Sequence, residues 1–439
     1  MTDLKSQFLR AFGIASIAKG AGLIMGLLLA RHLGPEGYGL FTFAVGAALI
    51  GARLGALGWP SLMLRLIPPM RFTNDLGQLR GVLRLADWVG LLGGIGVAAA
   101  FVAMSLALNK TNPLAPGLML AAVLVPAMVF RSLLRNQLAG LGAPSYGIVV
   151  DALLPPTLML VPLIYWGANV TAPNALLVYG LISMFAVAFG VFWRRRHVPL
   201  TLAQAIPVTH FRAWMAIALP ALVGMSAKLL MSKTDVLMLA PMAGLIETGV
   251  YGAALRLTVL QTMPIVVLST VLSPRLSQAF AQGRTAQLRR LFSIGLCLAI
   301  AASVPLALVL ILVGPAIATL LLGPDYFAIG PVITPLAVAQ CGAALGIITT
   351  SFLIMTGRER AFGLFSAVAL GVNIALNAAL IPSLGASGAA IATCVTITAF
   401  GLAQLALCIT VLRSCPLDPV STIPTSATDQ PDKPATRTR

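Results

Sequence analysis

The stretch from Gly224 to Arg256, GMSAKLLMSKTDVLMLAPMAGLIETGVYGAALR, reads as the end of one membrane helix, a short turn and the start of another. Inside this apolar setting stand Lys228, Lys233, Asp235 and Arg256. A charge near the centre of a bilayer costs about 2.5–3.5 kcal/mol on insertion scales and persists where something uses it. Three cations and one acid in so short a span call for a reason, and the rest of the chain is read for one.

The chain is 59% hydrophobic and 9% charged, with a mean hydropathy of +0.96. A soluble domain carries about 25% charged residues, so this composition describes an integral membrane protein. Apolar runs long enough to cross a hydrocarbon core recur at about 11–30, 39–60, 86–108, 114–134, 146–167, 173–193, 213–236, 249–272, 291–313, 331–356, 361–382 and 387–411. They are continuous rather than alternating, which excludes a β-barrel. The expected fold is an all-α membrane protein of about twelve transmembrane helices. Loops between the spans are too short for a folded extramembrane domain. The N-terminal run is interrupted by Lys19 and followed by no small-residue cleavage site, so it reads as a retained helix rather than a signal peptide.

The formal net charge is +17, and its distribution decides what that means. Of the 29 Lys and Arg residues, 22 fall on the side of the N-terminus, Arg131, Arg135 and Arg194 to Arg196 among them; only Arg31 and Lys110 fall opposite. The positive-inside rule then puts both termini in the cytoplasm, and an even number of spans agrees. The basic balance expresses topology and contact with anionic lipid; nucleic acid is not implied. Five cations remain inside spans: Lys19, Arg53, Lys228, Lys233 and Arg256.

Two halves are legible. LGPEGYGLFTFA (Leu33 to Ala44) matches IETGVYGAALRL (Ile246 to Leu257), with Tyr38 on Tyr251; GLGAPSYGIVVDALL (Gly140 to Leu154) matches MTGRERAFGLFSAVAL (Met355 to Leu370), with Tyr146 on Phe362. The nearly equal offsets suggest a six-helix unit used twice, the copies related by an axis along the membrane normal. The division is residues 1–197 for the first lobe, 198–212 for a cytoplasmic linker, 213–413 for the second lobe, and 414–439 for a disordered tail rich in Pro, Ser, Thr and Asp. Lys19 precedes Tyr38 by nearly the same spacing as Lys233 precedes Tyr251. Facing lysines would then line one central cavity.

Snorkelling accounts best for Arg256, about two turns into its predicted helix, and poorly for Lys228, Lys19 and Arg53. Ion pairing is the other plain reading. Lys228, Ser232 and Asp235 share a helix face, so Asp235 is a counter-ion for one lysine or a carboxylate for ion coupling, and Asp151 is a second such candidate. Two acids against five cations leave a surplus. A cavity of that sign suits an anion, and phosphate satisfies both lysine point charges and arginine forks. It is ill suited to exporting cationic drugs, which calls for carboxylates. No catalytic residues, metal ligands or cofactor site are expected. The five cysteines read as small core residues, and no Walker motif is present.

At LGPEGYGLFTFA, SKTDVLMLAPMAGLIETGVYGAALRL (Ser232 to Leu257) and GLGAPSYG (Gly140 to Gly147), the chain resembles the polysaccharide or O-antigen flippases of the multidrug/oligosaccharidyl-lipid/polysaccharide (MOP) exporter superfamily. The resemblance implies two six-helix lobes around a cavity that opens alternately to each side. It also implies a cargo of undecaprenyl-pyrophosphate-linked oligosaccharide, moved between leaflets of a bacterial inner membrane for O-antigen, capsule or exopolysaccharide synthesis. Lys19, Arg53, Lys228, Lys233 and Arg256 would hold the anionic headgroup, with membrane lipids and a polysaccharide polymerase as candidate partners. A lipid II flippase and a cation-coupled multidrug antiporter are the alternatives.

Overall fold

The computed structural model of the protein describes residues 2–108 and 112–414; the side chains at 2–9, 11–12, 168, 200, 203, 220–221, 223–229, 359–360 and 414 lie outside that description. Lys110, the side chains of Lys5 and Lys228 and the tail after Ser414 therefore fall outside it. The described residues form helices and no strands. In order these are α1 (Thr2–Gly55), α2 (Trp59–Phe72), α3 (Leu76–Ala107), α4 (Leu114–Gly140), α5 (Pro144–Ile148), α6 (Leu154–Trp166), α7 (Ala172–His197), α8 (Phe211–Ala243), α9 (Leu245–Thr258), α10 (Met263–Ala281), α11 (Thr285–Leu322), α12 (Gly330–Met355) and α13 (Glu359–Ser414).

Nine segments among the described residues are long and apolar enough to cross a membrane. Two of them turn back on themselves: α1 at Gly34 (φ 65°, ψ 177°) and α13 at Gly385 (φ 57°, ψ −134°). Counting each limb once and adding the 33-residue α8 makes the expected twelve crossings. The sequence explains where other spans bend. A π-turn at Val149–Leu153 joins α5 to α6 just before Pro155 and Pro156. Proline lacks an amide hydrogen, so the carbonyl four residues before Pro155, that of Asp151, has no helical donor. The Arg131 guanidinium donates to that carbonyl instead.

Arg71, Arg80, Arg131, Arg135, Arg194, Arg195 and Arg289 all lie near helix termini at one end of the bundle, here termed the basic end. At the opposite end the two halves close on each other. The second limb of α1 crosses α9 so tightly that a Cβ on Gly39 would overlap the carbonyl oxygen of Leu245, and one on Gly249 would overlap that of Pro35. Beside this crossing Tyr326 Oη donates to the Ala30 carbonyl at 3.0 Å, and Arg31 Nη1 to that of Leu321 at 3.5 Å.

One large core runs through the first half and continues across the opposite end into Tyr251, Leu322 and Tyr326. A second core, around Leu272, Phe292, Ile348 and Phe352, belongs to the second half alone. The large core also reaches the basic end, where Trp59 on α2 meets Trp214 on α8 edge-on, with centroids 6.3 Å apart.

The α1–α9 crossing yields a direct test. Gly39→Ala places a methyl against backbone, where no rotamer change relieves the overlap, so the cost is expected at about 3 kcal/mol or more. Gly46→Ala, on the same limb, meets nothing nearer than 3.9 Å and gains helix propensity. Thermal unfolding in detergent should show Gly39→Ala melting well below wild type and Gly46→Ala at or above it. Equal melting temperatures would refute the tight crossing.

Candidate functional site

Between the halves, beneath the α1–α9 crossing, lies a cavity of about 340 Å³. The first limb of α1 contributes Lys19, Gly22 and Leu23, and its second limb Tyr38 and Thr42. From the second half come Lys233 and Val236 on α8, Leu255 and Arg256 on α9, and Met263 and Val266 on α10. The structure thus brings Lys19, Lys233 and Arg256 to one space, and no carboxylate lines it among the described residues. Neither lysine has a hydrogen-bond acceptor among those residues. Lys19 is exposed within the cavity and Lys233 is half-buried.

Arg256 differs from the snorkelling expected of it. Because α9 begins at Leu245, this residue sits three turns in, not two. Its guanidinium crosses between the halves, donating to the Gly22 carbonyl at 3.4 Å and lying over Gly26, where a Cβ would approach its Nε to 2.9 Å. The absence of a side chain at Gly26 is what admits it.

Arg53 is not among the residues lining the cavity. Its helix stops at Gly55, earlier than the predicted span, because Leu57 and Gly58 take positive φ and Trp59–Pro60 start α2. Arg53 therefore lies in a last turn, half-buried. The Lys228 side chain lies outside the described residues.

Asp235 is placed by helix geometry. Two residues beyond Lys233, at about 100° per residue, it points to the opposite face of α8, away from the cavity and into the second half. It is 6% exposed and accepts hydrogen bonds from Tyr251 Oη, Thr393 Oγ1 and Asn377 Nδ2, each at 2.7 Å. Asn377 Nδ2 also donates to Asn373 Oδ1 at 3.1 Å, while Asn377 Oδ1 is buried with no partner. No described cation forms a salt bridge with Asp235, and the side chain of Lys228, the partner read for it from their shared helix face, lies outside the described residues. Asp151 serves the basic end instead. Its carboxylate meets Arg135 at 2.8 Å and Arg131 at 3.6 Å, and Arg131 also donates to Ser183 Oγ at 3.0 Å. The pairing of Asp151 with an intramembrane cation is thereby replaced by pairing with arginines first assigned to the loops.

Sequence reasoning missed Tyr38 and Thr42 as cavity residues, and Tyr251, Asn373, Asn377 and Thr393 around Asp235. For the two asparagines a signal existed. Asn373 and Asn377 lie four residues apart in an apolar span, on one helix face, and buried amides need partners. Thr393 carries no such signal, because a threonine can satisfy its hydroxyl on its own helix.

A family model described as polysaccharide biosynthesis protein matches residues 9–280, and a second, described as MatE, matches residues 220–379. No curated protein matches the sequence. Among solved structures, an inward-facing multidrug resistance MATE family transporter of the MOP superfamily superposes with a TM-score of 0.74 at 15% identity, covering 94% of this chain and 99% of that one. An outward-facing transporter of the same description gives 0.64 at 16%, with 93% and 96% covered. A MOP superfamily transporter from Pyrococcus furiosus, described as having a binding pocket of reverse polarity that suggests a different function, gives 0.63 at 16%, with the same coverage. These likenesses establish the fold as that of MOP-type membrane transporters. Since the first family model spans more than half of the chain, the protein belongs to the polysaccharide biosynthesis family of membrane exporters.

Proposed function

We propose that the protein flips undecaprenyl-pyrophosphate-linked oligosaccharide from the cytoplasmic to the periplasmic leaflet of a bacterial inner membrane, supplying surface polysaccharide synthesis. The observation that carries this reading is the cavity: Lys19 and Lys233 from corresponding helices of the two halves, joined by Arg256, face a space with no described carboxylate. A pyrophosphate offers two adjacent anionic groups, which suits two lysine point charges and one arginine fork. The volume is at the lower end of the range for small-ligand pockets, about 300–1,000 Å³, and fits a headgroup while the isoprenoid tail stays in the bilayer. With the basic end cytoplasmic by the positive-inside rule, the cavity is closed on the periplasmic side. The better superposition on the inward-facing relative supports that assignment.

In this reading Asp235 is the coupling carboxylate. Buried among neutral hydrogen-bonding groups beside an unpartnered Asn377 oxygen, it has lone pairs to offer a proton or a monovalent cation. Binding there would act on α8, the helix that carries Lys233. A multidrug exporter is the second reading, favoured by the MATE neighbours; three cations and no described carboxylate in the cavity oppose a cationic drug.

Deletion in the native host discriminates the readings. Loss of surface polysaccharide with normal growth in drugs is the expected result. Lysis would indicate a peptidoglycan precursor as cargo, and drug sensitivity with intact polysaccharide would overturn the proposal.

A further inference from the structure

A second cationic pocket, separate from the central cavity, opens at the basic end of the first half. It has a volume of about 380 Å³ and lies between α3, α7 and the segment leading from α7 to α8. Four guanidiniums line it, those of Arg80, Arg84, Arg194 and Arg195, against the single carboxylate of Asp87. Two are already engaged. Arg194 donates to Asp87 Oδ1 at 2.6 Å and to Gln137 Oε1 at 2.8 Å, and Arg80 donates to the Ala205 carbonyl at 2.5 Å. Arg84 and Arg195 are exposed and have no acceptor among the described residues. The engaged pair builds the wall and leaves two guanidinium forks free to grip one anion.

What stands next to those forks identifies the anion's source. On α3, Trp88, Leu92 and Ile95 follow Arg84 at four, eight and eleven residues, on the same face, and are 52%, 65% and 53% exposed. On α7, Phe192, Phe185 and Leu181 precede Arg195 on its face and are likewise exposed. In a membrane-spanning helix such exposed apolar stripes face acyl chains. Each free arginine therefore ends a lipid-facing stripe, with Leu83, Val198 and Leu202 as apolar lining beneath.

We propose that this pocket binds the phosphate headgroup of an anionic phospholipid, gripped between Arg84 and Arg195 while its acyl chains lie along the α3 and α7 stripes. Basic pockets between membrane helices at the charged face are recognised lipid-headgroup sites. The position gives the lipid leverage. Val198 and Leu202, which line the pocket, begin the segment that joins the halves, and the same segment is tied to α3 by Val208 N donating to the Gly77 carbonyl at 3.0 Å. A bound headgroup would fasten the start of the joining segment to the first half, just before α8.

The test uses the full-length purified protein in nanodiscs containing a fluorescent phosphatidylglycerol probe, with phosphatidylethanolamine or phosphatidylglycerol as competitor. Wild type should prefer phosphatidylglycerol, and Arg84→Gln with Arg195→Gln should lower that preference about tenfold. The conservative Arg84→Lys with Arg195→Lys should retain part of it. Arg275→Gln with Arg290→Gln, exposed at the basic end of the second half, should leave it unchanged if the pocket rather than general charge is responsible. Inorganic phosphate at millimolar concentration should not displace the probe. Displacement by inorganic phosphate would assign the pocket to soluble phosphate and overturn the lipid assignment. So would equal lipid preference in wild type and the glutamine variant, or an equal loss in the Arg275/Arg290 variant.

Discussion

Replacing Lys19 and Lys233 together with alanine should abolish surface polysaccharide while leaving the protein folded and inserted. Both halves of this expectation come from the cavity. Each lysine has no acceptor among the described residues, so removing it deprives none of them of a hydrogen-bond partner. It also relieves repulsion among three cations, so folding is not expected to suffer. The substrate bears the loss. A hydrogen bond to a charged group contributes about 1.5–3 kcal/mol, so losing two costs at least about 3 kcal/mol, more than a hundredfold in affinity. Single variants should retain partial activity, because Arg256 and the other lysine still face the anion, and a Lys19→Arg, Lys233→Arg pair should keep most of it. Complementation of a deletion strain, scored by surface polysaccharide with membrane expression measured in parallel, gives the answer. Wild-type polysaccharide from a well-expressed double alanine variant would remove the cavity from the mechanism.

That prediction draws on how much the sequence disclosed. Composition and periodicity were enough for twelve helices, because burial of backbone polar groups in lipid leaves continuous helix as the one solution for apolar runs of this kind. The nearly equal spacing of Lys19 and Lys233 from Tyr38 and Tyr251 placed two residues of the same cavity from opposite halves. Helix ends were less legible, and charges near them were misjudged. Arg53 seemed deep only while its span ran to residue 60; left-handed backbone at Leu57 and Gly58 ends the helix sooner. Arg256 looked close to an interface until the turn at Gly244 moved the start of its helix back. Asp235 shows the remaining limit. A shared face with Lys228 suggested a local ion pair; the partners described are Tyr251 on α9 and, more than a hundred positions away on α13, Asn377 and Thr393. Tertiary contact of that range leaves almost no trace in local periodicity.

The equivalence of the two tyrosines is also only partial. Tyr38 lines the cavity, whereas Tyr251 turns from it to hold Asp235. The second half thus carries a buried acid behind the cavity wall. Lys233 and Asp235 occupy opposite faces of one helix turn, so any rotation or bending of α8 that changes the surroundings of one changes those of the other. In the proposed mechanism, this physical link is what would tie a coupling ion to cargo.

Asp235→Asn should therefore separate a coupling acid from a structural one. Asp235→Ala would not, because it strands three buried donors, Tyr251 Oη, Thr393 Oγ1 and Asn377 Nδ2. At about 1–3 kcal/mol for each unsatisfied group, it should destabilise the protein by at least about 3 kcal/mol. Asparagine has the same shape and keeps one carbonyl oxygen for Asn377. Its new amide hydrogens face the two hydroxyls, which can rotate to accept instead of donate, so the fold should lose only about 1 kcal/mol. What asparagine cannot do is take up a proton or neutralise a cation. In proteoliposomes carrying fluorescent lipid-linked oligosaccharide, wild type should accelerate when a proton or sodium gradient is imposed. Asp235→Asn should run at a low rate that no gradient changes, with thermal unfolding close to wild type. A variant that still responds to the gradient would make Asp235 a fixed hydrogen-bond acceptor of the second half, and coupling would have to be sought elsewhere.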